Sequence, residues 1–127
     1  MLPVALVQSA AERFLEGADA SFLACFHADA EVYWEPAISQ RPIVSSRAAL
    51  EAWLLRIREE HPQLNATVTE PTAHDNGAVC DVIVTQAVVP EEVWRVALAV
   101  WVTDDLIREV RAFWSRDAAV EWVLRFR

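Results

Sequence analysis

The chain has 127 residues, of which 54% are hydrophobic and 24% charged, and its formal charge is -8. These values describe one compact domain over residues 1–127, with enough apolar material for a core, and exclude a disordered chain. All 11 basic residues are arginine and the only glycines are Gly17 and Gly77, so lysine Schiff bases and glycine-rich phosphate loops are excluded, and the acidic balance disfavours nucleic acid.

Val4, Leu6, Val7, Ala10, Ala11, Phe14 and Leu15 recur at helical spacing, which predicts a helix over 3–16 that Gly17 stops. Asp19 can cap a short second helix carrying Phe22, Leu23 and Phe26. A short strand follows, Glu31 to Glu35, closed by Pro36, and then a loop over 37–45. Ser45 or Ser46 caps a third helix from Arg47 to Glu60, with Leu50, Trp53, Leu54 and Ile57 on one face and Pro62 beyond its end.

The second half changes period. Ala66 to His74 reads as a strand interrupted by Pro71, and Asp75-Asn76-Gly77 as a hairpin turn. Strands follow over 78–89, 93–103 and 106–115, separated by Pro90-Glu91-Glu92 and Asp104-Asp105. Residues 117–126 form a terminal segment compatible with helix. Helices segregate from the strands, so the fold class is α+β.

The strand over 93–103 is apolar on both faces. Trp94, Val96, Leu98, Val100 and Val102 form one face, and Ala97, Ala99 and Trp101 lie on the other. A single-layer antiparallel sheet has one wet face, so the second face needs a cover. A second subunit is the expected cover, giving a homodimer through the outer sheet face; the alternative is that a terminal segment or solvent covers it. Asp81, Arg95, Glu109 and Arg111 read as a cross-strand or interface ion-pair network.

Cys25 and Cys80 read as buried free thiols, with no CxxC to hold a metal. His27, His61 and His74 share no ligand spacing, so no metal and no cofactor are expected. His27 lies in the loop before the first strand and reads as a residue satisfied by local hydrogen bonds, with an approach to a pocket mouth as the alternative, and His61 reads as a structural helix-end residue. The apolar stretch Leu2–Val7 follows no basic residue, and no run reaches the roughly 18 residues of a membrane span. A cytoplasmic protein is therefore expected.

Three stretches carry a resemblance to a known family. They are Phe26-His27-Ala28-Asp29-Ala30-Glu31-Val32, Arg41-Pro42-Ile43 with Ser46-Arg47-Ala48-Ala49-Leu50, and Leu106 to Ser115. In order and spacing they resemble the nuclear-transport-factor-2-like superfamily, within it the SnoaL-like and ketosteroid-isomerase-like branch. The resemblance implies a cystatin-like cone. Its curved, mostly antiparallel sheet of four to six strands wraps around three N-terminal helices and encloses an apolar pocket.

The same resemblance implies site residues. The family's carboxylate base precedes a proline at the end of the first strand, where this chain has Trp34-Glu35-Pro36. Glu35 is the candidate acid/base, although counting from Asp29-Ala30 places Trp34 at that position. Alternation sets Val32 and Trp34 on one side and Tyr33 and Glu35 on the other. The family's oxyanion tyrosine falls at Phe14, Ala10 or Ala11, and its aspartate at Leu98 or Ala97. None of these can donate a side-chain hydrogen bond. The last-strand aspartate of the cyclases falls at Ala112.

The expected pocket wall contains Phe14, Trp34, Trp53, Leu98, Ala112 and Trp114, with Gln86 as a polar contact. The resemblance implies a small-molecule pocket protein, acting as an isomerase, cyclase or hydratase on a polyketide, terpenoid or steroid-like substrate. The alternative is a non-catalytic ligand-binding or accessory dimerisation domain.

Overall fold

A computed structural model describes residues 2–33, 42–62, 64–86 and 93–126. Helix α1 runs Pro3–Glu16, with proline in its first turn. Gly17 ends it in the left-handed conformation (φ 73°). The Gly17 and Ala18 amides donate to Phe14 and Arg13 carbonyls at 3.2 and 3.0 Å, a two-bond C-cap that glycine adopts at little cost. Helix α2 is Asp19–Leu23 and helix α3 is Arg47–Glu60. Ser46, rather than Ser45, caps α3: its hydroxyl accepts from the Ala49 amide at 3.0 Å.

Strand β1 spans Phe26–Tyr33. It starts earlier than the sequence pattern predicts, because α2 stops at Leu23 and Phe26 already pairs with Ile107. The pairing is irregular between Phe26 and Glu31, which hides the alternation from a sequence reading. The remaining strands are β2 (Leu64–His74), β3 (Gly77–Gln86), β4 (Val93–Thr103) and β5 (Leu106–Phe113). They form one sheet in the order β1-β5-β4-β3-β2, antiparallel except where β1 runs parallel to β5. Pro71 sits where the β2–β3 register shifts, between Thr69 and Thr72 on an edge strand, a place that tolerates its missing N–H.

The inner face of the sheet packs on α1, α2 and α3. Leu6, Val7, Ala10, Leu50, Ala78, Cys80, Val96 and Val100 join one buried cluster there.

The outer face is covered by the chain itself. Residues Arg116–Phe126 form helix α4, which lies across β3, β4 and β5. Its Ala119 and Val123 close over Val79, Ala97 and Ala99 in a second buried cluster. The expectation of a dimer rested on that face being open. The small side chains of Ala97 and Ala99 instead leave room for a helix. Ion pairs at this layer are also internal: Arg116 meets Asp81 at 3.1 Å, and Arg111 meets Glu109 at 2.7 Å. Arg95 is exposed.

Gly77 is explained by close approach. A Cβ there would lie 2.9 Å from the Val100 carbonyl oxygen and 3.2 Å from Val123 Cγ1. Gly77→Ala is expected to lift α4 from the sheet and lower stability by about 1–3 kcal/mol in urea unfolding. Unchanged stability would contradict the seating of α4.

Candidate functional site

A cavity of about 620 Å³ lies between the inner sheet face and the three N-terminal helices. That volume suits a drug-sized molecule. Val82, Leu98, Val100 and Val110 form part of its floor on the sheet. Phe14 of α1, Phe22 of α2 and Phe26 of β1 form an aromatic row along one side, with ring centroids 5.6 and 5.0 Å apart. Trp53 and Ile57 of α3 also line it.

Arg58 fixes the junction of the helices. Its guanidinium donates to the Phe14 carbonyl at 2.6 Å and to Asp19 at 2.9 Å, and lies 4.4 Å from the Phe14 ring centre. It thereby holds a cavity residue from behind by hydrogen bonding and cation–π attraction together.

The wall is apolar. Among the described lining residues only Trp53, His61 and Cys80 carry a side-chain heteroatom. Cys80 is fully buried, and burial pushes its thiol up to about 12, with the Asp81 charge adding to the rise. It is therefore a neutral wall residue at physiological pH rather than a nucleophile.

The sign of the resulting pH dependence follows from linkage. The unfolded thiol ionises near the ordinary value of 9.0, while the folded one keeps its proton to about 12. Stability is therefore fully present below pH 9 and is lost as pH rises through 12. Wild type is expected to lose roughly 4 kcal/mol more than Cys80→Ala over that range. Parallel pH–stability curves for the two proteins would contradict it.

The sequence-predicted residues divide clearly. Phe14, Trp53 and Leu98 line the cavity. Ala112 is buried beside it, paired with Leu98, but does not form its wall. Trp114 is a correction: it is 65% exposed. Strand β5 ends at Phe113, so the alternation that would turn Trp114 inward stops one residue short. The chain turns there into α4, whose Ala118 amide bonds the Ser115 hydroxyl at 3.2 Å. Gln86 closes β3 opposite Leu64, itself a wall residue; the Gln86 side chain, Trp34 and Glu35 lie outside the described residues.

His27 is held by a local hydrogen bond, as the sequence reading favours, whereas His61 is a correction. The His27 Nδ1 accepts the Asp29 amide at 3.0 Å, a local backbone bond, and the residue does not line the cavity. His61 does. The signal was present in the sequence: the α3 face through Leu50, Trp53 and Ile57 continues four residues on to His61.

No family model matches the sequence, and no curated protein matches it. Solved structures do. A cystatin fold protein from Novosphingobium aromaticivorans superposes with a TM-score of 0.77 at 12% identity, covering 89% of this chain and 98% of that one. The chain has the cystatin-like fold. This is the architecture that the resemblance to nuclear-transport-factor-2-like proteins implied. A proposed ketosteroid isomerase from Kribbella flavida aligns with a TM-score of 0.71 at 23% identity, over 89% of this chain and 77% of that one. A proposed polyketide cyclase from Xanthomonas campestris aligns with a TM-score of 0.62 at 22% identity, over 94% of each chain.

Proposed function

We propose that this chain is a SnoaL-like pocket protein that takes a small hydrophobic molecule of polyketide, terpenoid or steroid-like kind into its cavity. The observation that carries the reading is the cavity itself. It is as large as a typical ligand site and walled by aromatic and aliphatic side chains, the setting in which apolar rings gain most from leaving water. The likeness in fold to a proposed ketosteroid isomerase and a proposed polyketide cyclase supports the same ligand class. Two buried free thiols suit a reducing compartment and support a cytoplasmic location, and among the described residues no helix is long and apolar enough to cross a membrane.

A second reading adds acid–base catalysis by Glu35. The chain on both sides of residues 34–41 is tied to Val32, a cavity residue: the Val32 amide donates to the Val44 carbonyl at 2.9 Å, and the Ile43 amide donates to the Val32 carbonyl at 2.8 Å. Glu35 lies three residues after Val32 in the sequence, which is the support for this reading. A carboxylate beside apolar walls is raised in pKa and can serve as acid or base.

The experiment is a panel of three- and four-ring hydrocarbons, alcohols and enones, read by thermal shift and then assayed for isomerisation of the enones. Binding without turnover supports the ligand-binding reading. Turnover that falls about a hundredfold or more in Glu35→Gln, with binding kept, supports catalysis. If no compound in the panel raises the melting temperature, the pocket reading is wrong.

A further inference from the structure

Among the described residues the cavity has one exposed heteroatom-bearing side chain, and it is at the rim. His61 is exposed to solvent on one side and lines the cavity on the other. Its position is set by the backbone. The His61 amide donates to the Ile57 carbonyl at 2.9 Å, and its own carbonyl accepts from the Leu64 amide at 3.1 Å. Ile57 and Leu64 both line the cavity, so the imidazole is carried between two wall residues. Among the described residues no hydrogen bond holds the ring.

The other heteroatoms of the wall serve a ligand poorly. Cys80 is fully buried, and its thiol is a weak donor. Trp53 offers one donor and no acceptor. An oxygen-bearing group pressed against the rest of the wall would lose its water and gain nothing in return. At His61 it keeps partial contact with water and meets a ring that donates an N–H in either protonation state.

We infer that the cavity takes an amphiphilic molecule, with its apolar rings or chain inside and a single hydroxyl, carbonyl or carboxylate oxygen at the rim, hydrogen-bonded to His61. This inference rests on the proposed pocket function and narrows its ligand class. His61 is then the residue that sets which end of the ligand enters first.

Two probes test it, 1-pyrenebutanol and 1-butylpyrene, which share a body and differ by one hydroxyl. Each is titrated by fluorescence anisotropy against wild type, His61→Leu and His61→Gln. Comparing the ratio of the two dissociation constants between proteins cancels the difference in hydration between the probes. The preference for the alcohol is expected to fall about fivefold in His61→Leu and to return in His61→Gln. The ring is exposed, so both variants should keep the wild-type melting temperature; should His61→Leu fail to fold, His61→Ala serves the same comparison. An identical ratio in all three proteins overturns the assignment of His61 and leaves the pocket reading standing. Binding of neither probe to wild type overturns the pocket reading and this inference with it.

Discussion

The double variant Leu98→Trp/Ala11→Phe is expected to bind 1-pyrenebutanol about 100-fold more weakly than wild type while remaining folded. Leu98 projects from β4 and Ala11 from α1, so the two substitutions add bulk from opposite walls of the same cavity. Enlarging a side chain inside a packed core costs about 1–3 kcal/mol because neighbours must move. Here the new rings enter about 620 Å³ of existing space, so that strain is largely avoided. The binding energy is lost instead, because a ligand and two aromatic rings compete for one volume. A hundredfold loss corresponds to about 2.7 kcal/mol, a modest share of what burying a multi-ring body supplies. Anisotropy titration and a thermal melt check the two halves together. Undiminished probe binding in a folded double variant would show that the probe sits elsewhere.

Much of this architecture was legible because hydrophobic period and caps are local properties. The α3 helix carries its own start signal at Ser46 and its own stop at Pro62, and the structure places it over Arg47–Glu60 as the pattern predicts. The long antiparallel strands announce themselves by turn residues; Asp75, Asp104 and Asp105 all adopt the left-handed conformation that short polar residues tolerate there. What escaped were features set by distant contacts. The extension of β1 back to Phe26 depends on pairing with β5, some eighty residues later in the chain. The fate of Trp114 depends on where β5 ends, and strand ends carry no sharp sequence mark. The outer face looked open because Ala97 and Ala99 say that something must pack closely, without saying what. Only the assembled structure shows that α4 does so. His61 escaped because a residue before proline at a helix end has a bland local explanation, and its place at the rim depends on where β2 begins.

Replacing Arg111 with methionine is expected to cost about 2–4 kcal/mol. Glu109 is 4% exposed, the one buried charged residue among those described. Its carboxylate receives the Arg111 Nε–H at 2.7 Å. The guanidinium also lies 3.7 Å from the centre of the Tyr33 ring and 5.0 Å from that of Trp122, so it links β1, β5 and the docked helix α4. Burial first, and then the bond from its hydroxyl to Glu31 at 3.0 Å, raises the Tyr33 phenol above its ordinary value, which keeps that ring neutral beneath the cation. Methionine keeps an apolar stem for the aromatic rings and removes the charge. Glu109 then remains buried without its closest cation, which is where the cost arises. Arg111 is itself 26% exposed, so water screens part of the loss and the lower half of the range is the better guide. The double variant Arg111→Met/Glu109→Leu separates the two explanations. If the loss of this cation from beside the buried carboxylate is the cause, the double variant recovers most of the stability that the single one lost, because an apolar pair needs no counter-charge. If instead the guanidinium's contact with Trp122 holds α4 in place, the double variant stays as unstable as the single one in urea unfolding. A loss below about 0.5 kcal/mol in the single variant would mean that this pair behaves like a solvent-exposed one and that α4 is held by its apolar face alone.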